Sequence, residues 1–237
     1  MQDITLVYYT ANKISSNFFA NTWDYLQRAR NGGQVEPDGE LELPMIAVSQ
    51  KFMFAEDNIV VDFKPSHLNI YKQALIGAKA VKTKYIALCE DDVLYHPDHF
   101  KYRPPEGVFG YNMNVWAIYT WVKPSIFNYK DRINLSGLIC ERELFIGAME
   151  ERFAKYPDDS KTEIAIWAEP GKYEGPSHLG VTERKIEKFY ADNPNVAFSH
   201  ETALSFLNMG KRKKMGQPRA LEIPYWGKAS DIIKLYQ

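Results

Sequence analysis

Three short runs leave this 237-residue chain little freedom in how it folds. Residues 4–9, 45–48 and 85–89 are continuous apolar stretches, rich in β-branched and aromatic side chains. A strand with one wet face alternates apolar and polar residues, and these do not. They read as strands covered on both sides, the condition of a mostly parallel sheet with helices on its faces. Residues 58–63 add a fourth candidate strand. The intervening segments have helical period. Phe18, Phe19, Thr22, Trp23 and Leu26 share one face, with Ser15 or Ser16 as the cap. Leu68, Tyr71, Leu75 and Ala78 share another, capped by Ser66. Strand alternating with helix predicts an α/β domain: a mixed, mostly parallel sheet flanked by helices.

Beyond residue 107 the regularity falls away. Two strand-like pieces surround Asn112 and Asn114, and a helix is expected over residues 135–156. A strand ends at Glu169-Pro170-Gly171. Residues 181–193 read as a short charged helix, and a further strand ends at Ser199-His200. The tail is basic and then aromatic, an irregular C-terminal extension closing on a short amphipathic helix. No internal repeat or low-complexity segment marks a boundary, so residues 1–237 read as one domain.

Composition narrows the function classes. A formal net charge of −1 gives no broad electrostatic case for nucleic acid or an anionic membrane. Cys89 and Cys140 both lie in apolar segments, where two buried thiols are a simpler expectation than a disulfide. The first residues lack the basic-then-apolar pattern of a secretory signal, and no run approaches the ~20 apolar residues of a membrane span. A soluble, cytoplasmic protein is the expectation.

The feature that points to chemistry is the end of the third apolar run. Tyr85-Ile86-Ala87-Leu88-Cys89 stops abruptly at Glu90-Asp91-Asp92. Ligands of open α/β sheets bind beyond the carboxyl ends of the strands, and these acids stand at such an end. Adjacent carboxylates raise one another's cost of ionisation, and a divalent cation removes that cost. Mg²⁺ and Mn²⁺ favour carboxylate oxygen and often share their shell with substrate phosphates. Residues two apart on an extended chain point the same way, so Glu90 and Asp92 are expected to face one ion while Asp91 turns aside. The plainer alternative is a solvated loop start.

The order of strand, "YYTAN", helix, strand and "YIALCEDDVLYHP" resembles the nucleotide-sugar half of GT-A fold glycosyltransferases, in particular the family-2-like group. Their Asp-X-Asp motif holds a divalent cation against the diphosphate of the donor. Here Glu90 stands in place of the first Asp. Looser similarities follow in order: "FGYNMNVWAIY", "WAEPGKY", "NPNVAFSHETALS" and "EIPYWGKASDI". The resemblance implies a donor half over residues 1–107 and an acceptor half over residues 108–237. It implies Mn²⁺ or Mg²⁺ on Asp92, with Glu90 and His200 as further ligands. Tyr9, Thr10, Asn12, Asn69, Lys72, Gln73, Glu90 and Asp91 would border a nucleotide-sugar donor, a UDP-sugar first. The residue-level alternatives stay open: core aromatic for Tyr9, turn residue for Asn12, solvated helix residue for Lys72, and ordinary hydrogen-bonded histidine for His200.

An inverting transfer also needs a carboxylate to take the acceptor proton. Glu169, at the end of an apolar stretch, is the first candidate, and Glu141 the second. Trp116, with Asn114 beside it, is the expected sugar platform on the acceptor side. The dense basic run at residues 211–214 is either a solvated loop or an attraction for a polyanion. With the resemblance, the acceptor is expected to be either a polysaccharide or other glycan, or a hydroxylated base in DNA. Two other classes compete: a nucleotidyltransferase, which would ordinarily carry a glycine-rich phosphate loop after the first strand, and a non-catalytic binding module.

Overall fold

The structure is a computed structural model that describes residues 3–33, 42–53, 55, 57–158, 169–171, 180–203 and 215–237. In chain order the strands are β1 (Ile4–Thr10), β2 (Met45–Ser49), β3 (Asp57–Val60), β4 (Tyr85–Glu90), β5 (Val93–Leu94), β6 (Val108–Asn112), β7 (Val115–Tyr119), β8 (Phe127–Tyr129), β9 (Leu138–Glu141), β10 (Lys185–Phe189), β11 (Asn195–Ser199), β12 (Arg219–Ala220), β13 (Glu222–Ile223) and β14 (Gly227–Lys228). The helices are α1 (Ser16–Arg30), α2 (His67–Ala80), α3 (Arg142–Lys155) and the single turn α4 (Ala229–Ile232). The expected mixed α/β architecture is the one the chain adopts.

Among the described residues, seven strands form the main sheet in the order β10-β6-β9-β4-β1-β2-β3. Every neighbouring pair is parallel except the two made by β9, which is reversed. The chain builds outward from β1 through β2 to β3. It then returns through α2 to place β4 on the opposite side of β1. The junction of β1 and β4 is therefore a topological switch point, where loops diverge and leave a crevice at the carboxyl edge.

Period-two alternation sends the strand side chains to two cores. Val7, Tyr9, Val48, Ile86 and Leu88 pack under α2 and α3 with Tyr71, Ala74, Leu75 and Phe145. Ile4, Leu6, Tyr8, Ala87 and Cys89 face the other way, toward Leu26 and Ala29 of α1 and toward Tyr95, Val115 and Ala197. Cys89 and Cys140 are both free and buried. Helix α2 lies very close to the sheet at Gly77, where an added Cβ would stand 2.4 Å from Val7 Cγ1. The N-caps are Ser15, which accepts the Phe18 N–H at 3.3 Å, and Ser66, which accepts the Asn69 N–H at 3.2 Å.

A second sheet, β12-β8-β7-β11-β5, backs the α1 side. The two strand-like pieces around Asn112 and Asn114 become β6 and β7, which belong to different sheets. The outer face of the second sheet is covered by α1 and the C-terminal segment. Phe18, Ile118, Phe127, Phe198, Trp226, Ile232 and Ile233 form that third core. Among the described residues no helix is long and apolar enough to cross a membrane.

Three expectations need correction. Residues 181–193 do not form a charged helix: Lys185–Phe189 is edge strand β10, parallel to β6. Its charges suit an edge exposed to water, and Phe189 is the buried anchor, stacked at 3.8 Å on Tyr102. Residues 135–156 are not one helix. A short 3₁₀ turn at Leu135–Gly137 leads into β9, and α3 begins only at Arg142. Leu-Ile-Cys fits either period, and the vacancy between β4 and β6 decides for strand. The strand expected at 58–63 runs instead from Asp57 to Val60. The approach to Glu169 and the basic run 211–214 lie outside the described residues.

Candidate functional site

The last pair in register between β1 and β4 is Tyr9 and Glu90. Register partners in a parallel pair project from the same face, so the Tyr9 hydroxyl meets Glu90 and donates to its Oε1 at 3.0 Å. One step further, Thr10 Oγ1 donates to Asp91 Oδ2 and also accepts the Asn12 N–H at 2.8 Å. The Glu90 N–H donates to the Tyr95 hydroxyl at 2.9 Å. Asp92 is joined to the second sheet, because its carbonyl accepts the Phe198 N–H at 2.8 Å. That bond brings the end of β11 alongside, and His200 Nε2 comes to 3.3 Å from Asp92 Oδ2. The other ring nitrogen of His200, Nδ1, lies 2.8 Å from Thr202 Oγ1. The rings of Phe18 and Tyr236 stand about the imidazole, with centroids at 6.1 and 6.0 Å.

Crowding like charges in a partly buried place has the expected consequence. Burial, and then the charge of Asp92, push Glu90 up to about 7 against the opposing pull of Lys130 and the Tyr9 bond. Burial and Asp92 push Asp91 up to about 6, with the Thr10 bond and His200 opposing. The cluster is thus poised to accept positive charge.

Two cations were passed over by sequence reasoning, Lys130 beside the acids and Arg152 near Glu169. Lys130 is partly buried and within electrostatic reach of Glu90, Asp92 and Glu169. Burial, with Arg132 nearby, lowers its basicity while the three carboxylates raise it. Arg152 is 1% exposed, with its guanidinium 4.7 Å from the Tyr71 ring centroid and Glu169 near enough to stabilise its charge. The signal for Lys130 lay in the segment it precedes: the chain enters β9 from the acid end of β4, because the two strands are antiparallel. Nothing in the order of residues revealed that pairing. Arg152 looked like one more charge on a charged helix.

The predicted residues divide between two ends of the sheet. Glu90, Asp91, Asp92, His200, Tyr9 and Thr10 come together, and Glu169 acts electrostatically on the same Lys130 as Glu90 and Asp92. The Tyr111 hydroxyl anchors the Glu169 segment by donating to the Pro170 carbonyl at 2.7 Å. Glu141 does not join them. It pairs in register with Tyr85, at the opposite end of β4, and there accepts the Gly107 N–H at 2.9 Å and meets Lys84 Nζ at 3.3 Å.

Several expected donor contacts serve the scaffold around the crevice. Asn12 has φ of 51°, and its Oδ1 accepts the N–H groups of Gln50 and Lys51, both at 2.9 Å. It pins the loop after β2 to the loop after β1. Gln73 is buried and donates to the carbonyls of Thr10 and Val48 at 2.9 and 3.2 Å, tying both strand ends to α2. Asn69 Nδ2 donates to the Lys64 carbonyl at 2.6 Å, and Lys72 Nζ to the Pro157 carbonyl at 3.2 Å, over the Phe153 ring. Asn114 Nδ2 donates to the Ala191 carbonyl at 2.8 Å. Trp116 is partly buried on the face of the second sheet that carries Val196 and Phe198, edge-on to Tyr129.

Among the described residues no three His, Cys, Asp or Glu side chains converge into a ready metal cage. Glu90 turns toward Tyr9, whereas Asp92 and His200 face each other. This donor set does not suit a structural metal. It does suit a hard divalent cation that takes one or two protein ligands and completes its shell with phosphate and water. A histidine fixed through its second nitrogen fits a ligand or a ligand-orienting role.

No family model matches the chain, and no curated protein matches it. Among solved structures it is similar to a glycosyltransferase involved in the glycosylation of the major capsid of PBCV-1, at 10% identity and TM-score 0.46, over 83% of this chain and 92% of that one. A nucleotidyl transferase from Methanothermobacter thermautotroptrophicus matches at 11% identity and TM-score 0.42, over 82% and 89% of the two chains. The bifunctional IspDF from Campylobacter jejuni matches at 10% identity and TM-score 0.38, over 92% and 56%.

Proposed function

We propose that the chain is a cation-assisted glycosyltransferase that moves a sugar from a nucleotide-diphosphate donor to an acceptor hydroxyl. The observation that carries this reading is the placement of Glu90, Asp91 and Asp92 at the switch point between β1 and β4. A diphosphate and its cation are the ligand chemistry that three carboxylates at such a crevice can serve. Asp92 and His200 would hold Mn²⁺ or Mg²⁺, with Glu90 close behind. The cation would neutralise charge developing on the departing diphosphate. Thr10 and Tyr9 orient the acids, and Asn12 and Gln73 keep the loop walls in place. Glu169 serves as the general base, its segment anchored by Tyr111. A UDP-sugar is the first donor to try, with a glycan or a hydroxylated nucleic-acid base as acceptor.

A nucleotidyltransferase would use the same cation. The turn after β1, Thr10-Ala11-Asn12, has no glycine to let a triphosphate approach the backbone, which favours the sugar donor. The product separates the two: one releases a nucleoside diphosphate, the other pyrophosphate. Calorimetric titration of a nucleotide-sugar panel, with Mn²⁺ and again with EDTA, tests the donor half. Cation-dependent binding of one donor is expected, and Asp92→Ala should abolish it while the circular dichroism spectrum stays unchanged. Binding that persists in the variant would remove Asp92 from the site.

A further inference from the structure

The two ring nitrogens of His200 meet different surroundings. Nε2 lies 3.3 Å from Asp92 Oδ2, on the side of the acids. Nδ1 lies 2.8 Å from Thr202 Oγ1. The His200 side chain is 5% exposed, whereas Thr202 is an exposed turn residue. The Ala203 N–H donates to the His200 carbonyl at 3.2 Å, which closes the turn that carries Thr202 back to the ring. Phe18 and Tyr236 flank the imidazole and limit its tilt. The two polar contacts constrain each other. A carboxylate only accepts, so the Asp92 contact places a proton on Nε2. A neutral imidazole then has a bare Nδ1, which accepts the Thr202 hydroxyl. Service as a cation ligand through Nε2 needs the reverse, a lone pair on Nε2 and the proton on Nδ1. A backbone carbonyl at Nδ1 would suit only the second state, and a backbone N–H only the first. A hydroxyl suits both by turning about one bond.

We propose that Thr202 is a positioning residue that lets His200 change tautomer: its hydroxyl donates to Nδ1 while Asp92 holds Nε2–H, and accepts from Nδ1–H when Nε2 becomes a cation ligand. The inference rests on the reading of Asp92 and His200 as cation ligands. The proton count closes. Nε2 releases one proton to water beside the acids, and Nδ1 takes one from surface water through the Thr202 hydroxyl. The ring is neutral before and after. Thr202 thus makes the pairing of Asp92 with His200 a resting arrangement that the ring can leave without turning over.

The test begins with the ¹⁵N-labelled wild-type chain at about pH 8, above the ordinary histidine range. Long-range ¹H–¹⁵N spectra report which ring nitrogen carries the proton, and the signal missing from His200→Gln assigns His200. The proton is expected on Nε2 with EDTA and on Nδ1 with saturating Mg²⁺. Calorimetric titration with Mn²⁺ alone gives the second readout. Thr202→Val keeps the shape and loses the hydroxyl, and should bind Mn²⁺ about tenfold more weakly, as expected when the partner of a ligating histidine is removed. Thr202→Ser should bind it as the wild type does. A proton on Nδ1 or on both nitrogens with EDTA, or one that stays on Nε2 with saturating Mg²⁺, would overturn the proposal. Equal Mn²⁺ affinity in Thr202→Val, or a loss that Thr202→Ser does not restore, would also overturn it and leave the cation site standing. If the wild-type chain binds neither cation, the cation site falls and the proposal with it. If Thr202→Val does not fold, the wild-type spectra decide.

Discussion

At the scale of single residues, the cluster at the end of β4 is a place where the protein spends stability. Glu90 and Asp91 hold their protons more tightly folded than unfolded, with Glu90 raised from 4.5 to about 7. The folded state then binds more protons than the unfolded chain across that interval. Their contribution is therefore intact below the ordinary values of 3.8 for Asp91 and 4.5 for Glu90, and is lost as pH rises through about 6 and about 7. Tyr9, Asp91, Asp92 and Lys130 are the titratable groups acting on Glu90. Glu90→Gln keeps an acceptor for the Tyr9 hydroxyl and removes the charge. It should raise stability above neutral pH by roughly 1–3 kcal/mol, within the range that shifts of this kind carry. The gain should vanish in acid. Urea unfolding at a series of pH values measures it, and a gain that persists below pH 4.5 would mean that burial of the charge is not the cause.

At the scale of elements, the close approach of α2 to the sheet makes its own prediction. Gly77→Ala would drive a methyl group into Val7 and Val48, with the nearest atom at 2.4 Å. The usual gain in helix propensity is then outweighed by overpacking, and a net loss of about 1–3 kcal/mol is expected in chemical denaturation. A stabilised variant would show that α2 can lift off the sheet. The same packing explains what the sequence made legible. β1, β2, β4, α1 and α2 announce themselves because the apolar pattern within each segment already states its period, and Ser15 and Ser66 mark the helix starts. β9 and β10 did not, because what makes them strands is a neighbour distant in sequence. Leu-Ile-Cys becomes a strand beside β4, and Lys-Ile-Glu-Lys-Phe becomes one beside β6. The site divides the same way. The acids were visible as a break in an apolar run. The partnership of Asp92 with His200, and the approach of Lys130, depend on contacts between sheets. Asn12 and Gln73 were visible as polar residues near the crevice, but their bonds go to backbone.

At the scale of the whole molecule, two sheets meet at the acid cluster, and each supplies part of it. The main sheet brings Glu90 and Asp91 on β4 and its exit, with Tyr9 and Thr10 from β1. The second sheet brings His200 after β11, held to Asp92 by the Phe198 bond. The wall behind His200 is supplied by the chain's final residues. Tyr236 packs edge-on to Phe18 and tilted against His200, and the Leu235 carbonyl accepts from Asn21 Nδ2 at 2.8 Å. Removing residues 235–237 should therefore weaken Mn²⁺ binding at least about tenfold, the loss expected when a group that orients a metal ligand is taken away. Metal titration beside thermal melting would check it, since a loss of stability alone with unchanged affinity would confine these residues to packing. The practical consequence is one of handling. A label or immobilisation chemistry directed at Tyr236 would disturb the ring that stands beside the imidazole, and a preparation that fails to bind the cation after such treatment would say nothing about the acids themselves.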